Sequence, residues 1–578
     1  MVDLVLGPLL RHVGATDATV WVETSAPCTV QVLGNSEKTW TVAGHHYALV
    51  SVEGLEPGST TPYEVRLDGR EVWPHAGDDP SRIRTLGAGD RFVLAFGSCR
   101  VATAPDDEDS SALGTDALVA YAQRMRARSP EEWPDALLLL GDQVYADELS
   151  PEMRRRVGER HDLSEPPGAQ VRNFEEYTWL YSQSWSEPDV RWLLSTVPTS
   201  MIFDDHDVHD DWNTSHLWRT EVEASSWWEE RIVGALMSYW IYQHLGNLSP
   251  KELSEDALYD RVRNCGGDAE PILRAFASDA DEEADGASGA RWSYRRDFGS
   301  VRVLMIDSRC GRVLTADRRE MVSDPEFDWI ESQTEGDYDH LLIGTSLPWL
   351  LPRAMHDVEA WDELLASGAR GERLGRWAEK LRRGADLEHW SAFRDSFDRV
   401  ARLLAEVGSG RRSGPSDVTP ATVCVLSGDV HHAYAARAHF RVPMSAAIYQ
   451  LTCSPLHNHV PAAVRVAFRV AWSRTAERCV RAVLGLVTPV PTTSITWSKA
   501  AGPTFGNQVA TLRVEGRAAH LTIERTATAR GAHHFETVAE LGLSSDGPRA
   551  GQPPSDAHRR RRRNPATRWR AARTVREI

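Results

Sequence analysis

The sequence predicts an α/β body preceded by a β-sandwich, and three observations predict it. Short unbroken apolar runs, Phe92–Phe96, Leu137–Leu140, Met201–Phe203 and Val423–Leu426, have strand length and end abruptly in polar residues. That is the pattern of strands buried on both faces of a largely parallel sheet. Stretches with apolar residues at helical spacing separate them, in the β-α-β order that parallel sheets require. Residues 3 to about 88 alternate instead with period two, as half-buried antiparallel strands do.

Taken in order, Val20-Trp21-Val22, Thr29–Val32 and Tyr63–Leu67 are the clearest of the early strands. Leu55-Glu56-Pro57-Gly58 followed by Tyr63 is similar to the fibronectin type III pattern, in which a Tyr anchors a sandwich corner. Residues 1–88 are therefore expected to form a fibronectin III-like sandwich, with Gly87-Ala88-Gly89 as its linker. The Phe92–Phe96 strand leads through a polar loop, Asp106 to Ser111, and a helix near Ala117–Arg128 to the Leu137–Leu140 strand. Residues 173–195 and 218–246 read as helices, and Trp228, Ile232, Leu236, Tyr239 and Trp240 recur as one core-facing stripe. Residues 279–289 are acidic and small, as in a surface loop. Strands follow at Val301–Ile306 and Leu341–Gly344, then an outer helical layer over 372–407, then Ala446–Leu451. In 460–488, Arg465, Arg469, Arg474, Arg478 and Arg481 alternate with apolar residues. On one straight helix the first two would oppose the last three, so a broken helical lid is expected. Val509–Val514 and His520–Glu524 read as a hairpin turned at Glu515-Gly516.

The chemistry lies where the apolar runs stop. They end in Gly97-Ser98-Cys99-Arg100, in Gly141-Asp142-Gln143-Val144-Tyr145-Ala146-Asp147, in Asp204-Asp205-His206-Asp207, and in Ser427-Gly428-Asp429-Val430-His431-His432. Strand tips are where open α/β sheets bind ligands. Carboxylates gathered on one sheet edge would repel one another, so cations are the natural means of holding them.

The order GSC, GDQVYAD, DDHDVHDDWN and SGDVHHA resembles the alkaline phosphatase D (PhoD-like) branch of the calcineurin-like metallophosphoesterases. The resemblance runs from about Arg91 to Thr526 and includes Ile306-Asp307-Ser308-Arg309 and Gly344-Thr345-Ser346. It implies an α+β sandwich of the metallophosphoesterase type over 89–542 and a phosphoester substrate, mono- or diester. It also implies two metal ions that lower the pKa of water from 15.7 to about 7 and so supply hydroxide. Asp142 is expected to bridge them. Cys99, Tyr145 and His431 suit iron, whereas Asp205 and Asp429 suit calcium, magnesium or manganese. His206 matches the position that assists the leaving oxygen, and Arg309 and Arg100 are candidate phosphate clamps. No motif supplies a further His for the second metal, and His356 is the stand-in.

The chain of 578 residues carries a net charge of −18, yet residues 549–578 hold ten Arg against Asp556 and Glu577. That basic tail, within 543–578, is expected to be disordered and to make at most weak polyanion contact. An acidic body is a poor general polyanion binder, though it leaves room for local basic pockets, and no obligatory nucleic-acid partner is expected. Seven scattered Cys without a C-x-x-C argue for reduced thiols. With no leader and no apolar run long enough to span a bilayer, the cytoplasm is the expected location. Two alternatives stand beside the hydrolase: an inactive metal- or phosphate-binding scaffold, and a nucleic-acid interaction protein working through the arginine tail.

Overall fold

In the computed structural model, residues 1–103, 113–282, 290–315, 318–529 and 532–544 are described. The basic tail therefore lies outside the described residues, and strand Ala532–Ser544 runs past its expected start at residue 543. Two four-stranded sheets form the N-terminal sandwich. One orders Leu4–Val13, Asp17–Thr24, His45–Glu53 and Trp40–Val42; the other orders Asn35–Lys38, Thr29–Val32, Val65–Leu67 and Arg70–Trp73. Val20, Val22, Val30, Val50, Val52 and Val65 fill the space between them. The alternate side chains of the first sheet do not face water. Trp21, Trp40 and Tyr47 join the main core, where Trp21 meets Tyr242 at 5.2 Å and Trp40 meets Trp240 at 6.1 Å between ring centroids.

Arg11 and Tyr63 are among the residues that fasten the sandwich to the body. Arg11, fully buried, donates through Nε to the Thr199 carbonyl at 2.9 Å, and through its Nη atoms to the Tyr242 and Gln243 carbonyls at 2.6 and 2.7 Å. Tyr63 departs from its expected part. Its hydroxyl leaves its own sandwich and donates to the Ser195 carbonyl at 2.6 Å, on helix Pro188–Thr196.

The body is built on two sheets. In the six-stranded sheet the order is Thr199–Ile202, Ala136–Leu140, Arg91–Gly97, Gln508–Glu515, Ala518–Ala529, Ala532–Ser544. Its first three strands are parallel, and Gln508–Glu515 pairs antiparallel with Arg91–Gly97. In the seven-stranded sheet the order is Tyr294–Phe298, Val301–Met305, His340–Gly344, Thr422–Ser427, Ala447–Thr452, Ala433–His439, Thr496–Thr504. The sheets face each other: Phe92 of one stacks on Phe298 of the other at 4.6 Å. The strand tips thus belong to two sheets where one was expected. Equally buried apolar runs carry no mark of which sheet they enter.

The helical expectations over 173–195 and 218–246 correspond to Phe174–Trp185, Pro188–Thr196, His216–Glu223 and Trp228–Ser238, the last continued by a π-helical turn, Tyr239–His244. The acidic stretch at 279–289 begins as helix, since Glu270–Glu282 covers its start, and 283–289 lies outside the described residues. The lid segment is two helices, Ala462–Ala471 and Arg474–Leu484.

Candidate metal centre

Three of the four strand tips turn sharply. Cys99, Asp142, Asp429 and His431 have φ of 57°, 51°, 65° and 48°, a left-handed conformation that L residues disfavour and that concentrates at functional sites. Gly141 permits one of these turns: a Cβ there would lie 2.6 Å from that of Asp204. Asp207 pins two tips together. Its carboxylate accepts from the backbone N–H groups of Asp142, Gln143, Val144 and Asp204, at 2.9 to 3.3 Å.

Three clusters of ligand-type atoms result, each with its members within 4.8 Å of one another: Cys99, Asp142 and His431; Asp142, Asp205 and His206; Asp204, Asp205 and Asp429. Asp142 belongs to the first two and Asp205 to the last two, so the clusters form one continuous row. Tyr145 joins it, its hydroxyl 3.3 Å from Asp142 Oδ2. Asp142 Oδ1, Asp204 Oδ2 and Asp205 Oδ1 are buried without a hydrogen-bond partner. Burial, reinforced by neighbouring carboxylates, pushes the pKa of Asp142 and Asp204 well up, and burial pushes the Cys99 thiol up too. Such groups ionise together only when cations compensate them. Burial lowers His431 to about 4, which leaves its imidazole neutral and able to ligate. The donor set fits two cations, thiol and imidazole at one end of the row and carboxylates at the other.

His206 is oriented by a residue that the sequence reading left without a role. Its Nδ1 lies 3.0 Å from Oδ1 of Asp147, the last residue of the GDQVYAD stretch. Burial disfavours the imidazolium, but the carboxylates of Asp147 and Asp205 outweigh it and hold the His206 pKa well above its ordinary value. The His206 ring also packs on that of Tyr145, with centroids 4.7 Å apart.

Of three further expected residues, Arg309 lies against the row while Arg100 and His356 lie away from it. Arg309, expected as a phosphate clamp, is fully buried, with Nε 2.5 Å from Asp204 and Nη2 3.2 Å from Asp205, and it pairs with Glu388. Five carboxylates in this corner demand an internal counter-charge, and Arg309 provides it. Arg100 turns away from the row, pairing with Asp116 at 2.8 Å and donating to the Ser184 carbonyl at 2.7 Å. His356 sits among aromatic rings, 4.9 Å from Phe397 and 4.8 Å from Trp497, and among the described residues it belongs to none of the clusters. The His beside Asp429 is His389, whose Nε2 lies 3.0 Å from Asp429 Oδ2 while its Nδ1 lies 2.8 Å from Glu359. Glu388-His389 stands in a charge-alternating stretch that reads as outer helix. Only the pairing of two remote segments reveals it. Asn458 is a second omission: its Nδ2 lies 3.0 Å from the Tyr145 hydroxyl and 3.5 Å from His431 Nε2.

Comparison with known proteins finds a family model, PhoD-like phosphatase, matching residues 114–482, and a domain of unknown function, DUF7800, matching residues 1–85. The first span includes all the cluster residues except Cys99. No curated protein matches the chain. A solved structure of PhoD is similar over 96% of this chain and 93% of its own, with a TM-score of 0.55 and 11% sequence identity. At that identity the likeness is one of fold.

Proposed function

Given that the chain belongs to the PhoD-like phosphatase family, we propose that it hydrolyses phosphomonoesters, phosphodiesters or both at a centre of two cations. The observation that carries this reading is the continuous row of clusters sharing Asp142 and Asp205, with Asp142 Oδ1 and Asp204 Oδ2 buried and unpartnered. Cys99, Tyr145 and His431 would hold iron, Asp205 and Asp429 would hold calcium, magnesium or manganese, and Asp142 would serve both. When bound, the cations neutralise phosphate oxygens and acidify water toward a pKa of about 7.

The remaining work falls to the side chains. His206 holds a proton at Nε2 for the leaving oxygen, while Asp147 at Nδ1 fixes the ring and stabilises its charge. Arg309 and His389 hold the carboxylates of Asp204 and Asp429 in place. Metal analysis of the purified protein, together with turnover of nitrophenyl mono- and diesters, tests the proposal. Asp142→Asn is expected to deplete both metals and to lower turnover by on the order of a thousandfold or more. Full metal content and full turnover in that variant would refute the shared centre. Metal binding without turnover by the unaltered protein would favour the scaffold.

A further inference from the structure

The lid helices Ala462–Ala471 and Arg474–Leu484 contain no buried residue. They are nevertheless anchored. Phe468 packs on His432 at 4.2 Å and Trp472 on Tyr434 at 5.0 Å between ring centroids, while Leu484 joins the small core of Trp361 and Leu365. Their other face points outward with large aliphatic side chains. Val466 is 56% exposed, Val470 55% and Val483 64%, and Leu486 just beyond is 86% exposed. Between residues 461 and 487 there are five arginines and one acidic residue, Glu477, on a chain whose net charge is −18. Glu477 and Arg481 are engaged inward with Arg353 and Asp357. Among the described residues, no carboxylate lies within 4.0 Å of Arg465, Arg469, Arg474 or Arg478. The break at Trp472-Ser473 removes the geometric objection to an amphipathic surface, because the two arginine sets no longer share one axis.

We propose that this helical pair is a docking surface for the anionic face of a phospholipid bilayer. Helices that lie in a membrane interface combine exposed aliphatic residues with Arg or Lys, and anionic headgroups attract such basic segments. A protein partner would call for an aromatic core, as protein–protein interfaces are enriched in Tyr, Trp and Phe, whereas the exposed apolar residues here are Val and Leu. The surface continues from the rim of the metal centre: Asn458 touches Tyr145 and His431, and the first lid helix starts four residues later. Helix Arg353–Ala366, on which the second lid helix rests through Asp357, carries the Glu359 that orients His389.

Cosedimentation of the full chain with phosphatidylcholine vesicles, with and without phosphatidylglycerol, tests the surface. The unaltered protein is expected to partition onto the anionic vesicles only. Val483→Glu with Leu486→Glu, and separately Arg474→Gln with Arg478→Gln, should each lower that partitioning by about tenfold or more. Both pairs are exposed, so circular dichroism should be unchanged, and hydrolysis of a small soluble phosphoester should be untouched. Absence of anionic-vesicle binding, or binding indifferent to both pairs, overturns the proposal. So does a self-associated chain that Leu486→Glu dissociates without any vesicle binding, which would make the face a contact between copies. Binding is read without catalysis, so its outcome is independent of the hydrolase reading.

Discussion

Arg11→Met asks whether the N-terminal sandwich braces the catalytic body or merely accompanies it. The substitution keeps the apolar stem and removes a guanidinium that spans Thr199, Tyr242, Gln243 and, at 3.3 Å, Asn247 Oδ1. Hydrogen bonds from a charged donor contribute about 1.5–3 kcal/mol each. Removal also relieves the desolvation of a buried charge, several kcal/mol in the opposite sense, which already lowers the Arg11 pKa to about 10. The net loss is expected to be about 4 kcal/mol. Urea denaturation followed by tryptophan fluorescence reads it directly, since Trp21, Trp40 and Trp240 lie at the junction. Gly246→Ala supplies an independent arm. A Cβ there would stand 2.3 Å from Arg11 Cζ, so this substitution should expel the guanidinium and destabilise comparably. The double variant should then lose much less than the sum of the two. A loss below about 1 kcal/mol in Arg11→Met, or strict additivity in the double variant, would refute the bracing argument.

Three further outcomes are expected. Cys99→Ser should deplete the transition metal selectively and bleach any thiolate charge-transfer absorption, with the hard cation retained; two zinc ions per chain and an unchanged content in the variant would count against iron. His206→Ala should slow alkyl phosphoesters by about 10²–10⁴ while harming nitrophenyl esters much less, because nitrophenolate departs without a proton; equal losses on both, or losses that track missing metal, would return His206 to a structural part. His45 lies 2.9 Å from both Glu23 of the sandwich and Glu175 of the body; burial opposes its charge, but the two carboxylates prevail and raise its pKa to about 9. A folded pKa above the unfolded value of about 6.5 means full stabilisation below that pH and loss as pH rises through 9. After allowance for solvent at the partly exposed Glu175, the change is on the order of 1 kcal/mol, and His45→Gln should flatten it; an unaltered pH profile in the variant would exclude the clamp.

The four strand-tip motifs were legible because their signal is local. An apolar run marks a strand, its abrupt end marks a tip, and a Cys, Asp or His there is out of place unless it has chemistry to do. The structure brings Cys99, Asp142, Tyr145, Asp205, His206, Asp429 and His431 into one row for that reason. What escaped depends on pairing across the chain. His389 meets Asp429 from a segment whose own pattern is that of a solvated helix. Arg309 stands after a strand as a clamp would, and only the carboxylates of Asp204, Asp205 and Glu388 around it show that it faces inward. Asp207 resembles its neighbours Asp204 and Asp205 in sequence, but backbone N–H groups saturate it. The division of strands between two sheets has no local signature at all.

The strand that ends at Cys99 is flanked on one side by Ala136–Leu140 and on the other by Gln508–Glu515. Its second neighbour is more than four hundred residues away in the chain. During synthesis, therefore, the strand leading to Cys99 waits with one edge bare until more than four hundred further residues have left the ribosome. His431 on the opposite sheet also emerges late. Until then the growing chain can neither close the six-stranded sheet nor bring His431 and Asp429 to the rest of the row. The same layout leaves a strand edge open to strangers for that interval. A chain halted before residue 508 should then be prone to aggregate, however sound its individual strands.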